Sequence, residues 1–311
     1  MPGTTPADSR LKVRTARLSI YSNSSLIALK VVAGIATGSV SVLAEAAHSG
    51  SDLVAAFIAY FSVRKADEPP DESHPFGHGK IENLSGLAEA LLIFGAAAYI
   101  VYESIRKIHD IFGHGATVER TYWAIGVMGI SAIVNIIVSR RLSAVARETE
   151  SMALEADAQH LSVDVYTSGA VVVGLTVAEL SKVWLLDPIL ALLVAGLICG
   201  AAYRLSADAV TFLVDTGLPP GELEQLREVL LHDPRVRSYH NLKTRRGGSH
   251  RYAEVHVLLA DDLSFVEAHQ FTEDLEDRLR ATLPRLHVII HSEPFQAERA
   301  HQRDRHGSEE A

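Results

Sequence analysis

The sequence predicts a membrane protein: a six-transmembrane-helix bundle followed by a small α/β domain of order α-β-β-α-β, metallochaperone-like. Three observations predict it. Of 311 residues 48% are hydrophobic, and they concentrate in residues 18–205, whereas 206–311 are rich in charge. Six stretches, at about 18–39, 42–62, 82–104, 121–139, 159–181 and 184–203, reach the roughly 20 apolar residues that cross a hydrocarbon core. Beyond Arg204 the pattern changes to short alternating runs and one amphipathic helix. The expected layout is an N-terminal segment (1–17), the bundle (18–205), an α/β domain (206–295) and a disordered tail (296–311).

The first span carries Tyr21, Ser22, Asn23, Ser24 and Ser25, and the polar run ETESMALEADAQH leads into the fifth. Such spans belong inside a bundle rather than against lipid. Between its ends the third holds only Glu89 as an ionisable residue, and the fourth and sixth are dominated by apolar residues. Lys and Arg set the orientation. Arg10, Lys12, Arg14 and Arg17 precede span 1; Arg64, Lys65 and Lys80 lie between spans 2 and 3; Arg140, Arg141 and Arg147 lie between spans 4 and 5. The opposite side has only Arg106, Lys107, Arg120 and Lys182, so both termini are expected in the cytoplasm. The polar, basic start lacks an apolar h-region, so no cleaved signal peptide is expected. A single cysteine, Cys199, excludes a disulfide within the chain and any CxxC zinc site. The net charge of −9, without a basic face, argues against nucleic acid as a partner.

In the tail, PPGELEQLREVLLHD reads as a helix with a proline start. VRSYHNLKTRR and RYAEVHVLLA read as strands around the turn GGS, with His240 at an end of the first. SFVEAHQFTEDLEDRLRATL is an amphipathic helix opened by Ser264, with Glu267 at the capping-box position, and RLHVIIHSEP is a last strand. An antiparallel-leaning sheet with helices on one face is expected.

Two spans contain the same unusual pattern. HSGSD in span 2 places His48 and Asp52 four apart, and HLSVD in span 5 places His160 and Asp164 four apart. On a helix each pair projects from one face, one turn apart. A charged residue at the centre of a span costs roughly 2.5–3.5 kcal/mol on insertion scales, so something must offset it. Two such helices facing each other converge two imidazoles and two carboxylates, a closed N/O donor set that suits tetrahedral Zn²⁺. A single pair could equally be a polar helix contact; the repeat on two helices favours a metal. Elsewhere, DESHPFGHGK sets Asp71, His74 and His78 at helix-like spacing in a loop, where histidines are often merely solvated. Strand alternation puts Glu254 and His256 on one face, and likewise His291 and Glu293. His250, His287, His301 and His306 are left as solvated.

HSGSD, HLSVD, the SHPFGHGKIE loop, six spans and an α/β tail together resemble the cation diffusion facilitator family over roughly residues 10–295. The resemblance implies a homodimeric divalent-metal/proton antiporter, with a transport site at His48, Asp52, His160 and Asp164. It also implies a loop metal site at Asp71, His74 and His78, a charge interlock of Lys80 and Asp215, and a binuclear zinc site in the cytoplasmic domain. His240, His256, His269 and His291 match that last site, but Glu293 stands where the usual residue is Asp. Several bacterial relatives carry Asp in place of His48. Two His and two Asp favour Zn²⁺, with Cd²⁺ and Co²⁺ as passengers and Fe²⁺ or Mn²⁺ as the alternative cargo.

No P-loop and no HExxH motif appears, which argues against a nucleotide partner and a zinc protease. A full ligand set leaves no open position for a catalytic water, so an enzyme is not expected. A membrane metal sensor would explain the tail histidines but not a complete site at mid-membrane. The expected location is a prokaryotic inner membrane.

Overall fold

The computed structural model describes residues 6–37, 40–114, 122–181, 183 and 185–298; some helical side chains, that of His48 among them, also fall outside the described set. Six long helices come first: α1 (Pro6–Thr37), α2 (Val40–Ala66), α3 (Lys80–His114), α4 (Tyr122–Thr149), α5 (Met152–Ser181) and α6 (Leu186–Leu213). Most outrun their apolar stretch at a charged end, as α4 does through RRLSAVARET. The hydrocarbon limits only the apolar part, and Arg, Ala, Glu and Leu continue a helix readily into water. Among the described residues, four helical segments are long and apolar enough to cross a membrane: Pro6–Ala36, Lys80–Phe112, Gly129–Thr149 and Pro188–Leu213. Helices α2 and α5 carry the ionisable ligand candidates, and the side chains of parts of their apolar runs lie outside the described set.

Within residues 6–210, one compact unit, α1 packs on α2 and α4, and α5 packs on α2, α3 and α4. Small residues allow this: Ala55, Ala56, Ala59, Ala153, Ala156 and Ala158 are fully buried, so the backbones approach closely. At Gly86 a Cβ would meet Met152 Cγ at 2.8 Å, so any larger residue would have to displace the Met152 side chain where α3 meets the start of α5.

The second unit, from residue 211 on, contains α7 (Pro220–His232), β1 (Ser238–Gly247), β2 (His250–Leu259), α8 (Phe265–Thr282) and β3 (Leu286–Pro294). Sheet order is β1-β2-β3. β1 and β2 pair antiparallel around Gly248, which has φ +60°. β2 and β3 pair in parallel, so the sheet is mixed rather than antiparallel-leaning. The cause is α8, the crossover a parallel pair requires. His240 is third in β1, not at its far end, because the strand continues past a bulge between His240 and Lys243, with Asn241 at φ +52°. Ser264 and Glu267 form the expected capping box at the start of α8. Leu226 and Leu230 of α7 and Phe271, Leu275 and Leu279 of α8 bury Ala253, Val255 and Val257 of β2. Alternate residues, including His256, therefore face away from the helices. Residues 296–298, expected to be disordered, form a helical turn, because Gln296 and Ala297 donate their N–H groups to the Asp261 carboxylate. Residues 299–311, with His301 and His306, lie outside the described residues.

Candidate metal centres

Helices α2 and α5 bring Asp52, His160 and Asp164 together: one donor atom from each lies within 4.8 Å of the others. Asp52 and His160 are buried, and His160 Nε2 stands 3.3 Å from Asp52 Oδ1. Two ligands about 2.0–2.1 Å from a tetrahedral zinc are themselves about 3.3–3.4 Å apart, so this spacing needs little adjustment to take the ion. His160 Nδ1 is buried without a hydrogen bond. The fourth expected ligand, His48, has its backbone in α2 one turn before Asp52, and its side chain lies outside the described residues. Helix α1 braces this turn: Asn23 Nδ2 donates to the Asp52 carbonyl at 3.3 Å, and Lys30 Nζ donates to Ser49 Oγ at 2.7 Å.

In the α2–α3 loop the donors of Asp71, His74 and His78 also lie within 4.8 Å of one another. Asp71 Oδ1 accepts from the N–H of Ser73 (2.9 Å) and of His74 (2.6 Å) and from Ser73 Oγ (2.8 Å). These bonds, the Ser73 hydroxyl first, hold Asp71 well below the usual carboxylate range. It is a fixed anion facing two imidazoles: His74 Nδ1 lies 3.2 Å from Oδ1, and His78 Nε2 3.3 Å from Oδ2. Gly77, at φ +81°, makes the turn that lets both rings return to Asp71.

In the cytoplasmic-domain candidate, His240, His256 and His291 are directly paired across the three strands and form a row on the face away from the helices. Glu293, two residues past His291, shares that face. Its Oε2 is 2.9 Å from His240 Nε2, and its Oε1 is 2.8 Å from His256 Nδ1 and 3.4 Å from His291 Nε2. The donors of His240, His256 and Glu293 fall within 4.8 Å of one another. Glu293, which stands where the resemblance implies an aspartate, thus reaches both imidazoles here. His269 does not join them. It lies on α8, which packs on the opposite face of the sheet, and its ring is 3.6 Å from Glu273.

Residues 16–214 match the cation efflux transmembrane domain, and residues 218–295 match the cytoplasmic domain of cation efflux proteins. The chain belongs to the cation efflux family. It is a membrane transporter, not an enzyme. Its relatives include the cation-efflux pumps FieF of Pectobacterium carotovorum, 33% identical over 90% of this chain and 92% of the relative, and of Salmonella schwarzengrund, 32% identical over 92% and 93%. A solved C-terminal domain of the CzcD transporter from Thermotoga maritima, in a metal-bound form, is 25% identical, with TM-score 0.23; it covers 25% of this chain and 94% of that domain.

Several charged or titratable residues of this efflux protein are buried or paired in ways that no chain-local pattern indicates. Lys12, expected only as a topology signal, is fully buried between Asp67 and Glu82. Glu89 and Asp157 are fully buried in the bundle, Asp157 one turn before His160. Asp215, at φ +59° after α6, pairs with Arg245 at 3.2 Å; Lys80, its expected interlock partner, opens α3 in the other compact unit. His250 and His287, expected to be solvated, meet at 3.2 Å beside Tyr252. Burial, with Arg280 nearby, holds His287 below its ordinary range. Lys12, Asp215 and the His250–His287 pair carry no local sequence signal, because each partner is distant in the chain.

Proposed function

We propose that this chain exports divalent cations, Zn²⁺ foremost, from the cytoplasm in exchange for protons, through a site formed by His48, Asp52, His160 and Asp164. The observation that carries this reading is the convergence of Asp52, His160 and Asp164 from two helices of the transmembrane domain. Two carboxylates match the charge of a divalent cargo, and imidazole favours zinc over the harder Mn²⁺. Ligands must be deprotonated to bind metal, so loading releases protons and protonation releases metal. An imidazole titrates near physiological pH, which suits a cycle driven by a proton gradient. The bundle loads zinc while open to the cytoplasm, reopens on the other side, exchanges zinc for protons and returns.

The protein works as a homodimer in a bacterial inner membrane, with both termini cytoplasmic as the Lys/Arg bias indicates. The Asp71–His74–His78 loop and the His240–His256–His291–Glu293 row hold regulatory cations, and His269 completes the latter only if a second protomer supplies it. Proteoliposomes carrying the purified protein test the cargo. Zn²⁺ added on the cytoplasmic face is expected to drive counterflow of protons more strongly than Fe²⁺ or Mn²⁺. Equal or greater flux with Mn²⁺ would overturn the zinc assignment, and zinc uptake without proton movement would overturn the exchange.

A further inference from the structure

Lys12 Nζ lies 2.5 Å from Asp67 Oδ1 and 3.0 Å from Glu82 Oε1, with its own side chain fully buried and those of Asp67 and Glu82 at 8% and 2% exposure. The far oxygen of Glu82 accepts a 2.6 Å hydrogen bond from Ser151 Oγ. Asp67 is the first residue after α2, Glu82 is in the first turn of α3, and Ser151 immediately precedes α5. One ammonium on α1 thus ties together the same-side ends of α2, α3 and α5. Two of those helices carry the candidate transport ligands: Asp52 lies on the order of 20 Å from Asp67 along α2, and His160 on the order of 14 Å from Ser151 along α5.

We infer that Lys12 is the positioning residue of a cytoplasmic gate: its ion knot holds α2 and α5 together at the end through which metal enters, and opens to admit it. The inference rests on the orientation proposed above. Three features distinguish a gate from a staple. A buried ion triad adds little net stability beyond what apolar side chains of the same volume supply, so fastening alone does not call for it. The knot is under-satisfied, since Asp67 Oδ2 is buried with no hydrogen bond, which leaves an acceptor for water when the ends part. Finally, Asp67 and Glu82 are the two ends of the segment that carries Asp71, His74 and His78. A cation on that loop fixes the spacing between the carboxylates that Lys12 bridges, which gives the loop cluster a lever on the gate.

The test is cysteine accessibility in vesicles of known sidedness, in a Cys199→Ser background. Ala59→Cys, on α2 between Asp52 and the knot and fully buried, reports opening. Glu72→Cys, in the exposed loop, reports which face the loop occupies. Glu82→Gln weakens the tie to Lys12 and is expected to speed labelling of Ala59→Cys from the cytoplasmic face about tenfold, while lowering turnover and leaving the affinity of the membrane site for Zn²⁺ unchanged. Unchanged labelling overturns the gate. The triple variant Lys12→Met, Asp67→Asn, Glu82→Gln removes every charge and retains the packing, so it separates gating from folding. Folded protein whose labelling rate departs from that of the wild type supports the gate; folded protein with wild-type labelling and turnover overturns it. If Glu72→Cys reacts only from the outer face, the proposed orientation fails, and the labelling difference then shows whether the knot gates the opposite side.

Discussion

At 3.3 Å, Asp52 Oδ1 and His160 Nε2 are already spaced as two ligands of one zinc. The repeat that reveals them is local: His and Asp four apart on each of two helices place their side chains in register, and this is readable from the chain. Lys12 was not readable, because a lysine among Arg10, Arg14 and Arg17 looks like any topology signal, and its partners lie 55 and 70 positions away. At this scale the account predicts that His48→Asp, exchanging an imidazole for a carboxylate, raises Mn²⁺ flux relative to Zn²⁺ several-fold, in line with ligand hardness. An unchanged ratio in parallel flux assays would place the source of selectivity elsewhere.

Among the elements, the cytoplasmic sheet was legible in its strands and its histidine face, but not in its parallel β2–β3 pairing. Alternation tells which residues share a face; it says nothing about which strand runs beside which. Register then does what sequence could not show, aligning His240, His256 and His291 and setting Glu293 among them. His256→Ala with His291→Ala is expected to move activation to higher cytosolic zinc while maximal turnover survives, since a regulatory ligand shifts a population rather than the transport step. A flux titration in which the folded, dimeric double variant is inert at every zinc concentration would instead put the sheet in the transport machinery.

In that domain Asp233, the C-cap of α7, ties α7 to α8. It accepts from Arg235 Nε at 3.0 Å and Nη2 at 2.9 Å and is also bonded by Arg278 of α8. The Arg235 guanidinium first, then its N–H and Arg278, hold Asp233 below the usual carboxylate range. A depressed folded value means that its contribution is complete above the unfolded value near pH ~4 and is lost as pH falls through the folded value. Asp233→Asn should therefore cost about 1–2 kcal/mol at neutral pH, discounted for two half-exposed arginines, and the gap from wild type should narrow below about pH 4. Hydrogen exchange on α7 and α8 in the full-length protein would measure both.

Across the whole molecule, the family's transmembrane and cytoplasmic domains divide the work proposed here: residues 16–214 contain the pathway, and residues 218–295 contain the histidine row. The six helices and the α-β-β-α-β order were legible because apolar length and alternation are chain-local. The ends of the helices were not, because charged residues continue a helix beyond the membrane. The central claim is that Asp52 and Asp164 carry the cargo, and zinc-driven proton counterflow in proteoliposomes tests it most directly. Asp52→Asn and Asp164→Asn, each folded and assembled as the wild type, should both lose that counterflow, because a three-ligand remainder lacks the charge to hold Zn²⁺ in a dry bundle. The His256→Ala, His291→Ala double variant should keep it at saturating zinc. Wild-type flux through both Asp variants would contradict the account.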